Sequence, residues 1–102
     1  MNLANVKCIG DEVVTVGAAA TGFSSAPSDA DYAEVFAMST TSCRCCWGGT
    51  TPTANNGVLL DEQAAGNVLK IKLYGGQAIA DFLAFGNTSK LYVVYYRSRN
   101  YA

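Results

Sequence analysis

The sequence predicts an all-β fold: a single domain built as an antiparallel β-sandwich of jelly-roll-like kind. Three observations carry that prediction. Turn-forming clusters such as "GDE", "WGGTTPTANNG", "YGG" and "GNTS" recur about every 8 to 12 residues, which is the spacing of short strands rather than helices. "VLKIKL" alternates Leu69, Ile71 and Leu73 with Lys70 and Lys72, a period of two that puts the apolar set on one face and the lysines in water. "KLYVVYYR" is dense in β-branched and aromatic residues, which fit a pleated surface.

Taken in order, residues 1–11 are expected to form an N-terminal arm, because "MNLANVKCIG" is too short to fold alone. Glu12–Val16, "EVVTV", reads as the first strand of a sandwich spanning residues 12–97. The small-residue run "GAAATGFSSAPSD" is a connection, and Ala33–Ser39, "AEVFAMS", is the next strand. "AIADFLAF", Ala78–Phe85, is ambiguous, since Ile79, Phe82 and Leu83 would also suit a short helix. A strand is expected there, because "YGG" before it and "GNTS" after it leave little room for a stable isolated helix. In "KLYVVYYR" Leu91, Val93 and Tyr95 share one face and Tyr92, Val94 and Tyr96 the other. Both faces are apolar, so this strand belongs centrally or at a subunit contact, with residues 98–102 left as a C-terminal tail.

At 102 residues the chain is one domain, able to bury about 60 to 68% of the surface its unfolded form exposes. Half of the residues are hydrophobic and 15% are charged, the balance of a folded domain with a lightly charged surface. A net charge of −1 argues against nucleic acid as a partner, because displacing counterions from phosphates needs a basic face. Arg97 and Arg99 make the one local basic cluster, and a solvated chain end accounts for them. The N-terminus shows no cationic segment leading into an apolar run, and no stretch reaches the roughly 18 apolar residues of a membrane span. The expectation is a protein folded in a reducing cytosol with free thiols.

"SCRCCWGG", Ser42–Gly49, holds three of the four cysteines. A structural zinc site needs about four ligands, usually from two knuckles, and this chain has no histidine and no second Cys pair to join Cys43 and Cys46. On an extended strand Cys43 and Cys45 would face one way with Trp47, and Cys46 the other way with Arg44, so the thiols diverge. A disulfide within this run is geometrically poor, while Cys8 bonding one of these thiols across the sheet stays open. Cysteines acting as small buried hydrophobes outweigh a metal or redox site. Among the acids, Asp11, Glu12, Asp29, Asp31, Glu34, Asp61 and Glu62 read as solvated turn residues ahead of acid and base pairs. "SDADYAE" lacks the glycine and distal glutamate of a calcium loop. No nucleophile elbow, phosphate loop or dinucleotide fingerprint is present, so no catalytic residue, cofactor or metal is expected.

From "VTVG" through "AEVFAMSTTSCRCCWGGTTPT", "NGVLL" and "LKIKLYGGQAIADFLAFG" to "LYVVYYR", the chain resembles small virion proteins of tailed bacteriophages, of the capsid decoration or cement type. The resemblance rests on a strand ending in Trp47 with Gly48 and Gly49, the turn Thr51, Pro52 and Thr53, then Gly57 with Leu59 and Leu60, and the closing Leu91, Val93, Tyr95 and Tyr96. "CRCC" keeps Arg44 and puts thiols where such proteins carry aliphatic and aromatic residues, which favours a strand. The resemblance implies a non-enzymatic β-sandwich that binds the assembled capsid lattice as a homotrimer, with the major capsid protein as partner, on a virion made in the host cytoplasm. Tyrosine and arginine are enriched where protein surfaces meet. Tyr92, Tyr95, Tyr96, Arg97, Arg99 and Tyr101, with the N-terminal arm, are therefore the expected contacts. The alternative is a fibre or tail tip that binds a host-surface glycan, since tyrosine rings can also stack on sugars.

Overall fold

Two antiparallel sheets face each other across an apolar interior. The computed structural model describes residues 6–38, 41–61, 70–86 and 88–98. In chain order the elements are β1 (Val6–Val16), β2 (Tyr32–Ala37), β3 (Ser42–Cys46), β4 (Val58–Asp61), β5 (Lys70–Tyr74), α1 (Gly76–Asp81), β6 (Leu83–Gly86) and β7 (Ser89–Ser98). One sheet has four strands in the order β1-β7-β2-β5, and the other three in the order β4-β3-β6. The all-β sandwich expected from the sequence is the fold observed, and β7 is central in its sheet, between β1 and β2.

The two-residue period explains the packing. Val14, Val16, Ala33, Val35, Ile71, Leu73, Leu91, Val93 and Tyr95 point inward from the larger sheet, against Cys43, Cys45, Leu60 and Ala84 from the smaller. Lys70 and Lys72 stay exposed beside buried Ile71 and Leu73, as their alternation predicts. Each large apolar side chain buried this way contributes about 1.5–3 kcal/mol. Two polar bonds tie the sheets together: buried Ser89 on β7 donates its hydroxyl to the Ser42 carbonyl at 2.8 Å and accepts from the Ser42 amide at 2.9 Å.

Two expectations are corrected. Residues 6–11, assigned to an N-terminal arm outside the sandwich, are the paired start of β1, with Val6 opposite Ser98, because β7 is long enough to template them. Ala78–Phe85 is not one strand. Gly75, at φ 98°, turns the chain out of β5 into the six-residue α1, and Phe82 is already extended at φ −62° and ψ 129°. Ile79 and Phe82, three apart, both enter the core, so packing sustains a helix too short to be stable alone. The Phe82 ring stacks on Phe23 with centroids 4.4 Å apart, and Phe23 meets Tyr95 edge-on at 5.6 Å. The cross-sheet bond from Cys8 to a β3 thiol, which the sequence left open, is not formed: Cys8 lies exposed on β1 opposite Tyr96, and all four cysteines are free.

Candidate functional site: an aromatic sheet face

Residues directly opposite each other on antiparallel strands point the same way, so the registers fix the outer face of the four-stranded sheet. Three rows cross it: Tyr74, Tyr32, Tyr96 and Cys8; Lys72, Glu34, Val94 and Asp11; Lys70, Phe36, Tyr92 and Val13. Five aromatic rings therefore share one surface. Tyr32 sits between Tyr74 and Tyr96, with ring centroids 5.1 and 5.3 Å away, and Phe36 lies 6.2 Å from Tyr92. Such pairs contribute about 0.5–1.5 kcal/mol each beyond their burial.

Carboxylates hold the phenols in place. Glu34, in the middle row, accepts from the Tyr32 hydroxyl at 3.1 Å and from the Tyr96 hydroxyl at 3.0 Å, and Lys70 Nζ lies 3.5 Å from it. Lys70 also stands 5.6 Å from the Phe36 ring centroid. Its side chain is largely solvated, so the ion pair is a weak positioning contact. Asp11 accepts from the Tyr92 hydroxyl at 2.6 Å. Burial, followed by the hydrogen bond and charge of Glu34, pushes the Tyr96 phenol up to about 12, and the same causes raise Tyr32. The bond to Asp11 raises Tyr92. All three remain neutral donors at ordinary pH, which keeps the rings pinned.

The face combines this rigidity with exposure: Tyr74 is 56% and Val13 52% exposed, while Tyr32 is 2% exposed. A depression of about 180 Å³ lies against Val6, Tyr32, Glu34 and Tyr96. Fixed aromatic rings with polar tips suit a broad contact with another surface, because they lose little side-chain freedom when covered. Among the described residues no group of three or more Cys, Asp or Glu side chains is placed to hold a metal ion. Cys43 and Cys45 face the core with sulfurs 4.0 Å apart, and their mutual hydrogen bond, with burial, pushes the Cys45 thiol up and keeps it protonated.

Of the residues expected at the contact, Tyr92 and Tyr96 lie on this face. Tyr95 does not: it points to the opposite side, is fully buried, and gives its hydroxyl to Glu12. Its parity with Leu91 and Val93 makes it a core residue. Arg97 is exposed and pairs with Asp29 at 3.0 Å. Arg99 and Tyr101 lie outside the described residues. The sequence reading missed Tyr32, Phe36 and Tyr74, although "YAEVFA" alternates large aromatics and Glu34 with small or branched core residues, a pattern that marks two occupied faces. Comparison with family models, curated proteins and solved structures found no match for this chain.

Proposed function

We propose that this chain is a non-enzymatic structural protein of a tailed-phage virion, a cement or decoration protein that binds the assembled capsid lattice and stabilises the head. The observation that carries the binding role is the outer face of the four-stranded sheet, where five aromatic rings and exposed Val13 stand on one rigid surface. Apolar patches of this kind mark contact sites. The capsid assignment draws on the resemblance of the ordered strand and turn pieces. A ligand that binds only the assembled lattice stabilises it by mass action, and a homotrimer adds avidity. The partners are then further copies of this chain and the major capsid protein. A second reading, a glycan-binding tip, is favoured by the depression at Tyr32, Glu34 and Tyr96, where ring faces adjoin a carboxylate acceptor.

Sedimentation with emptied phage heads tests the proposal, together with the solution mass by light scattering. The expected outcome is saturable binding by a particle of about three times 10.7 kDa, weakened about tenfold or more by Tyr74→Asp, which puts a charge into the contact. Absence of head binding, with Tyr96-dependent binding to purified bacterial surface polysaccharide, would transfer the assignment to the second reading.

A further inference from the structure

The opposite side of the sandwich carries a different kind of site. We infer that the outer face of the three-stranded sheet holds a recognition subsite for an acidic side chain of a partner protein, with Arg44 as its receptor. Arg44 lies on the central strand β3, directly paired with Leu59 on β4 and Phe85 on β6, so one cation stands between two apolar side chains. A depression of about 410 Å³ is bounded by Arg44, Leu59, Phe85, Ala18, Ala54 and Ser42. This surface belongs to the other sheet from the aromatic face, and the inference does not depend on the capsid reading.

The guanidinium is oriented before any partner arrives. One of its N–H groups donates to the Gly57 carbonyl at 3.0 Å, its one bond among the described residues. Gly57 has φ +102°, and a Cβ there would lie 2.9 Å from the Cys45 carbonyl oxygen, so this backbone position admits glycine alone and the carbonyl that holds Arg44 is fixed. A guanidinium presents five N–H donors in a planar fork that matches a carboxylate, and one bond to Gly57 leaves most of the fork available.

The surroundings select the ligand. Arg44 is the one cation among the described residues of this sheet, and Asp61 faces the same side, opposite Ser42. A single cation suits one negative charge and disfavours phosphate chains or nucleic acid, which need several cations, and Asp61 on the same face repels any further anionic group. Leu59, Phe85 and the two alanines offer apolar contact to the methylenes of a glutamate. The depression is an open dish on a sheet face, so a free small acid would keep one side in water. A side chain presented by a protein surface arrives with neighbours that cover the rim, which identifies the source as a protein.

The test is an amide NMR titration of the whole protein with acetyl-Leu-Glu-Leu-amide, its Gln counterpart, and hexanoate. The glutamate peptide is expected to shift the amides of Arg44, Leu59 and Phe85, and to bind about tenfold more tightly than the Gln peptide. Arg44→Gln should abolish those shifts. Arg44→Lys, which keeps the charge and fold but loses the fork, should weaken binding about threefold to tenfold. Equal binding of the Gln peptide, or shifts that persist in both folded variants, would overturn the site. Tighter binding of hexanoate than of the glutamate peptide would overturn the protein source.

Discussion

At Glu12 a single carboxylate accepts from the Ser24 hydroxyl at 2.9 Å, the Ser24 amide at 3.3 Å, the Ser25 amide at 2.9 Å and the buried Tyr95 hydroxyl. The residue thereby fastens the connection between β1 and β2 to the core through a tyrosine from the far end of the chain. Burial raises the pKa of this carboxyl, but the bonds from Tyr95, Ser25 and Ser24 together outweigh it, and the net result lies below the ordinary value of 4.5. A folded-state pKa below the unfolded one means stability that is present above the unfolded value and lost as pH falls through the lower folded value. Because Glu12 is partly solvated, the contribution is modest. Glu12→Gln is expected to cost about 1–2 kcal/mol at pH 7, read as a lower urea midpoint, and to cost clearly less near pH 3, where the native carboxyl is itself protonating. An unchanged gap between the two proteins at both pH values would show that charge is not what the four donors recognise.

Among the elements, α1 is the clearest case of structure imposed from outside. Its six residues have no side-chain N-cap, no acid in the first turn and no base in the last, so isolated it would melt. What holds it is Ile79 and, at its end, Phe82 stacked on Phe23, which belongs to the same connection that Glu12 fastens. Phe82→Ala is expected to cost about 3–5 kcal/mol, since it leaves a cavity and removes the ring partner of Phe23. In hydrogen exchange the amides of β6 and the connection bearing Phe23 should lose protection together; loss confined to α1 would contradict the coupling. This dependence also explains why the element was misread. Ile79, Phe82 and Leu83 fit either period, and the contact that decides between them comes from a ring distant in sequence. The strand "VLKIKL" was legible because water on one face dictates alternation, which Lys70, Ile71, Lys72 and Leu73 display. The aromatic face was half legible. Tyr92 and Tyr96 announce it within one strand, but the rows through Tyr32, Glu34 and Tyr74 exist only once β2 and β5 take their registers, and local pattern does not encode pairing between strands that far apart.

For the molecule as a whole, the path of the chain makes the last strand decisive. The chain changes sheets between β2 and β3, β4 and β5, β5 and β6, and β6 and β7. β1 and β2, consecutive in sequence, never pair; β7 lies between them and bonds to both. Until β7 arrives, β1 has no partner in its sheet, Glu12 lacks the Tyr95 hydroxyl, and the bond from Ser89 to Ser42 that joins the sheets is missing. The core would also lose Leu91, Val93 and Tyr95, all fully buried, which at about 1.5–3 kcal/mol each approaches the entire stability of a small domain. A fragment of residues 1–86 is therefore expected to remain unfolded, with collapsed amide dispersion by NMR and no near-ultraviolet dichroism. Adding a peptide of residues 87–98 should restore both, because the missing strand supplies two ladders and an inner strand of the four-stranded sheet at once. A fragment that showed native dispersion on its own would mean that β2 and β5 suffice to hold the sandwich, and that β7 completes the aromatic surface without founding the fold.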